Sequence, residues 1–110
     1  MKIEGVGFDV TDWSAVVPEE HKGETGTSYW RVYSQGNVRA RIVDYSPGFR
    51  SDHWCGRGHV LLVLEGRLSI ALEDGSVHEL GPRMSFQAGD DEGNRHLAYT
   101  AEGAKVFLVD

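Results

Sequence analysis

The stretch Ser46–Ile70, SPGFRSDHWCGRGHVLLVLEGRLSI, places two histidines and the chain's only cysteine within seven residues and then runs into an apolar segment. Its punctuation is glycine and proline: Pro47-Gly48 ends whatever precedes it, and Gly56-Arg57-Gly58 allows a bulge or tight bend. Beyond that bend, His59 to Leu64 reads as a strand, and Gly66 separates it from the alternating Leu68-Ser69-Ile70-Ala71-Leu72. In extended chain, residues two apart face the same side about 6.7 Å from each other. His53 and Cys55 therefore share one face while Asp52 and Trp54 point away. His59 has the same parity, the glycines aim it back toward the first two, and Leu61 and Val63 continue the interior face.

Working outward, the same kind of element recurs. Ser28–Ser34 and Val38–Tyr45 flank Gln35-Gly36-Asn37, a hairpin loop. Glu73-Asp74-Gly75-Ser76 turns the chain into Val77–Leu80, and Ala104–Val109 reads as another strand. Fourteen glycines interrupt runs of β-branched, aromatic or alternating residues, with no sustained helical period and no repeat of 20 to 50 residues. Many short strands with frequent turn signals predict an all-β sandwich or barrel. A chain of 110 residues makes one such domain. The barrel is expected over residues 28–110, with residues 1–27 as an irregular N-terminal arm packed on it.

Composition narrows the function classes. Seventeen acidic residues against eleven Lys and Arg leave a formal charge of −6, without the basic stripe of a nucleic-acid or anionic-membrane binder. The longest apolar run, Val60 to Leu64, is too short to span a bilayer, and the first residues lack the apolar core of a signal peptide. One cysteine forms no internal disulfide, which fits a reducing compartment, so a cytoplasmic location is expected. Cys55 is then a packed thiol, a metal ligand, or a nucleophile or redox sensor activated by nearby imidazoles.

The Ser46–Ile70 stretch resembles the first motif of the cupin superfamily, G-x5-H-x-H-x3,4-E-x6-G, whose residues ligate a metal inside a small jelly-roll barrel. Gly66 takes the closing glycine, His59 the place usually held by Glu, Cys55 the second His position and His53 the first. The second motif, G-x5-P-x-G-x2-H-x3-N, is matched more loosely over Gly75–Thr100. Gly75 and Pro82 fit, Arg83 follows Pro82 where a glycine is usual, QAGDDEGNR lengthens the approach to His96, and Thr100 stands where Asn is common. The chain also resembles a subgroup of small single-domain cupins with a D-H-C-W type motif, echoed as Asp52-His53-Trp54-Cys55. HKGETG, RARIVDYSPG and EGAKVFLVD extend that similarity over nearly the whole length.

The resemblance implies a double-stranded β-helix with one divalent transition metal held by His53, Cys55, His59 and His96. A usual cupin site has three imidazoles and a carboxylate; here a thiolate supplies the single anionic ligand. Sulfur favours zinc, iron, nickel or copper over manganese or magnesium. Four ligands around zinc make a closed structural site, or a non-enzymatic ligand-binding cupin. Three histidines with Cys55 standing back leave positions for oxygen, water or substrate, as in dioxygenase- or isomerase-like cupins. The implied partners are a small-molecule ligand or substrate and a second copy of the chain as a homodimer, which also covers edge strands.

Further candidates lie around this centre. Arg39 and Arg41 share a strand face with Val43 and Tyr45; if that face looks inward they are candidates to clamp a carboxylate at the barrel mouth, and if outward they are solvated. Leu61, Met84, Phe86 and Tyr99 are candidates to line an apolar pocket. His21 and Glu24 fall in a glycine-bounded surface loop, and His78 beside its turn is expected to be exposed.

Overall fold

The computed structural model describes all 110 residues, which form nine strands. They are β1 (Glu19–Lys22), β2 (Thr27–Gln35), β3 (Val38–Tyr45), β4 (His59–Gly66), β5 (Leu68–Leu72), β6 (Val77–Leu80), β7 (Ser85–Ala88), β8 (His96–Tyr99) and β9 (Ala104–Val109). All pairings are antiparallel. A six-stranded sheet has the order β1-β2-β3-β9-β4-β7, and a three-stranded sheet has the order β6-β5-β8. The all-β barrel read from the sequence is thus present as two facing sheets. No helix is long and apolar enough to cross a membrane.

The core lies between the sheets and follows period-2 alternation. In β4, His59, Leu61 and Val63 are buried while Val60, Leu62 and Leu64 face outward. In β9, Ala104, Val106 and Leu108 are the buried set. With Val43, Leu68, Ile70 and Leu80 they form one apolar cluster, against which Trp30, Tyr45, Leu72, Phe86 and Ala98 pack. Gly66 makes the β4–β5 corner possible: its φ is +77°, and a Cβ there would lie 2.1 Å from the Gly103 carbonyl oxygen.

Three expectations are corrected. Residues 51–58 are a loop rather than a strand; only Cys55 pairs, in an isolated antiparallel bridge with His96. The glycines on either side of Arg57 let the chain leave the sheet and return. The segment before residue 28 is not wholly irregular, because β1 extends the larger sheet by pairing with β2, Glu19 opposite Trp30 and His21 opposite Ser28. Earlier residues lie along that sheet: Glu4 and Lys2 bond Asn37, Asp9 bonds Tyr33, and Trp13 meets Phe107 edge-on at 6.2 Å. Finally, β7 and β8 were not read from the sequence, and their strand character comes from pairing with β4 and β5.

Candidate metal centre

Strand register builds the site. Arg41 of β3 stands opposite Leu108 of β9, and Val60 of β4 stands opposite Val109. One step along, Arg39, Asp110 and His59 fall in a row across three strands, with paired backbone bonds of 2.9 and 3.0 Å joining Arg39 to Asp110. Asp110 has the parity of Leu108, Val106 and Ala104, so its side chain enters the interior and is 1% exposed. Cys55 reaches the same place from the loop. Its N–H donates to the His96 carbonyl at 2.8 Å and its carbonyl accepts from His96 N–H at 3.0 Å, which fixes the two side chains beside each other.

These constraints gather one donor atom each from Cys55, His59 and His96, all within 4.8 Å of one another. Cys55 Sγ lies 3.6 Å from His59 Nε2. The His59 and His96 rings are nearly perpendicular at 5.1 Å between centroids, and Phe86 packs against His96 at 5.3 Å and His59 at 6.4 Å. Both histidines are buried. Burial, then the neighbouring His96, lowers the His59 pKa to about 4, so its imidazole is neutral at physiological pH and has a lone pair to give.

The surroundings orient those lone pairs. His96 Nδ1 is 3.0 Å from the Asn94 carbonyl, an acceptor that requires the proton on Nδ1 and leaves Nε2 free. His59 Nδ1 lies 3.3 Å from Asp110 Oδ2, within ion-pair distance although off the line of a hydrogen bond. Asp110 is the hub of this region. Its oxygens accept from Arg39 Nε and Nη2 at 2.9 and 2.7 Å, and Oδ2 also meets Arg41 Nη2 at 3.3 Å and Arg57 Nε at 3.4 Å. Burial alone pushes its pKa up, but the Arg39 bonds and the charges of Arg41 and Arg39 outweigh it and hold the carboxyl below its usual range. Burial lowers the Arg41 pKa and pushes the Tyr45 hydroxyl up to about 12.

A cavity of about 280 Å³ opens over the cluster between the two sheets. Arg39, Arg41, Leu61 and Phe86 line it, together with Trp30 and Arg57. Two expected lining residues lie elsewhere. Met84 is half exposed, its sulfur accepting from Gly81 N–H at 3.3 Å, and Tyr99 carries the Arg50 guanidinium 5.4 Å from its ring centre. His53, expected in the cluster, belongs to the exposed loop at the cavity rim. Its side chain is 75% exposed and its Nδ1 lies 2.7 Å from Asp52. His21 stacks on Trp30 at 3.9 Å, Glu24 pairs with Arg50 at 3.6 Å, and His78 is exposed as expected.

Asp110, Arg57 and Trp30 were missed by sequence reasoning. For Asp110 the signal was legible, since an acid extends the interior parity of an otherwise apolar alternation. Arg57 had none, because its position depends on the loop.

No protein-family model matches the sequence, and no curated protein matches it. Solved structures do. A structure from Thermotoga maritima described as a predicted oxalate decarboxylase superposes with TM-score 0.76 at 14% identity, covering 92% of this chain and 96% of that one. An RmlC-like cupin from Shewanella frigidimarina gives 0.74 at 14% identity, covering 94% and 89%. The polyketide cyclase RemF from Streptomyces resistomycificus gives 0.74 at 18% identity, covering 94% and 78%. The chain has the cupin fold. Its interior carries a Cys-His-His cluster that could hold a metal ion.

Proposed function

We propose that this cupin is a metal-dependent enzyme acting on a small organic molecule, with Cys55, His59 and His96 as the ligands of one zinc, iron or nickel ion. The observation that carries the reading is the convergence of three soft donors within 4.8 Å of one another. Metal–ligand distances of about 2.0–2.3 Å separate the ligands of a tetrahedral ion by roughly 3.3–3.8 Å. The 3.6 Å between Cys55 Sγ and His59 Nε2 already matches that span. Imidazole and cysteine-sulfur donors together suit zinc, iron or nickel.

A metal bound here supplies Lewis acidity, polarising a substrate oxygen or lowering the pKa of bound water. The chain's own groups prepare the place. Asp110 favours the proton on Nδ1 of His59 and so turns Nε2 toward Cys55, and the Asn94 carbonyl does the same for His96. Phe86 and Leu61 keep water from the buried side of the cluster, which strengthens electrostatic interactions within it. With Cys55, His59 and His96 as its only protein ligands, an ion held here would keep a place for substrate or water, as catalytic sites do. That two of the superposed proteins are described as enzymes supports the reading at the level of the fold.

Elemental analysis of protein purified without added metal tests it. About one equivalent of a transition metal, lost in both Cys55→Ser and His96→Ala, is the expected result; absence of metal under every loading condition overturns the proposal. The 3.6 Å thiol–imidazole contact supports a second reading, a nucleophilic or redox-active Cys55. Ligation predicts that a chelator exposes Cys55 to alkylation; stoichiometric alkylation of the metal-loaded protein at neutral pH selects the nucleophile instead.

A further inference from the structure

The charge around the cavity is unbalanced. Arg39, Arg41 and Arg57 all line it, no Asp or Glu does, and the single carboxylate of Asp110 meets all three guanidiniums from behind. That carboxylate is not shared evenly. Arg39 engages both of its oxygens at 2.9 and 2.7 Å and is satisfied. Arg41 retains one bond, from Nη2 at 3.3 Å, and its Nε has no partner although the side chain is only 6% exposed. Arg57 stands at the rim, 60% exposed, at ion-pair distance only. Two cations therefore remain undercompensated beside a cluster that gains further positive charge when a divalent ion binds, in a protein whose overall charge is −6. Much of the remaining lining is apolar: Trp30, Leu61, Ile70, Phe86 and Leu108. Trp30 also lies under the Arg41 guanidinium, 4.6 Å from ring centre to Cζ, which holds that group in place.

We infer that the ligand of this cavity is a small organic acid, its carboxylate received by Arg41 and Arg57 and its apolar body set between Trp30 and Phe86, facing the Cys55–His59–His96 cluster. The inference deepens the functional reading above and rests on the same site. A guanidinium fork matches a carboxylate in shape as well as charge. The volume of about 280 Å³ lies at the low end for small-molecule pockets and admits one compact acid. The apolar walls favour an organic body over a bare inorganic anion. Arg39 pairs with both oxygens of Asp110, so that carboxylate gives Arg41 only one longer bond.

The test is titration calorimetry of the protein as purified with malonate, succinate and benzoate, each against its neutral amide, and with inorganic phosphate. At least one acid is expected to bind with an affinity tenfold or more above that of its amide. Arg57→Gln, at an exposed rim position that leaves the fold intact, weakens that acid about tenfold, and Arg41→Gln weakens it further. Equal binding of acid and amide, no binding by any of the three acids, or full affinity in Arg57→Gln overturns the inference. Phosphate bound as tightly as the best acid also overturns it, because the apolar walls then contribute nothing. Metal content measured on the same samples separates the two readings: acid binding without metal refutes the metal proposal alone, and metal without acid binding refutes this one alone.

Discussion

Replacing Asp110 by alanine removes the one carboxylate that faces Arg39, Arg41, Arg57 and His59. The cost is set by the most buried partner. Arg41 is 6% exposed, so losing Asp110 leaves a desolvated guanidinium, and breaking a buried ion pair in this way costs about 3–5 kcal/mol. Arg39 at 29% and Arg57 at 60% exposure recover hydration and add little. The expected loss is therefore about 3 kcal/mol, a large part of the roughly 5–15 kcal/mol that holds a domain of this size folded. Asp110→Asn retains an acceptor for Arg39 and should lose less. Urea unfolding followed by tryptophan fluorescence reads the change as a shift in midpoint at constant slope. Combining Asp110→Ala with Arg41→Met, which leaves no charge to strand, should restore much of the loss. A drop below about 1 kcal/mol for Asp110→Ala, or no restoration in the double variant, refutes the hub assignment.

The remaining predictions concern pH, the turns and the rim. In metal-free protein the His59 pKa of about 4 lies below its unfolded value of about 6.5, so the unfolded chain takes up the extra proton. Stability should then be full above pH 6.5 and fall between pH 6.5 and 4, by at most about 3 kcal/mol, and His59→Gln should flatten that limb of a pH series of urea midpoints. Gly66→Ala forces a Cβ against the Gly103 carbonyl at positive φ and is expected to cost about 2 kcal/mol or more by the same assay; near-neutrality contradicts the corner geometry. Arg83 holds φ +71°, and Arg83→Gly should raise stability by up to about 1 kcal/mol, while a loss would show that its side chain contributes more than its backbone strain removes. His53→Ala should retain a full equivalent of metal, and loss of metal would return His53 to the ligand set.

Apolar or alternating runs bounded by turn residues were enough to read β2 to β6 and β9 within a residue or two, because burying one side of a strand favours apolar residues at every second position, but the inward face of β3 was left open. That pattern placed His59 on the interior with Leu61 and Val63, the same parity pointed to Cys55, and the resemblance to the second cupin motif pointed to His96. What it could not supply was the path of the chain where pairing lapses. Extending the parity argument through residues 51–58 put His53 beside Cys55, but that segment leaves the sheet, and only the backbone bonds between Cys55 and His96 set its register. The short strands β7 and β8 exist through pairing with their neighbours β4 and β5.

The residues that charge and orient the site belong to the tertiary level for the same reason. Alternation says that Arg39, Arg41 and Asp110 can face inward, yet which cation meets which carboxylate depends on how β3, β9 and β4 align, a non-local register. An all-β barrel and the soft donor types available to a metal are legible in the residues alone, since both follow from local side-chain chemistry. Tertiary structure decided that Cys55, His59 and His96 converge, that His53 stays at the rim, and that Asp110 sits behind three arginines, because contacts between residues 40 to 70 positions apart arise only once the sheets have closed on one core.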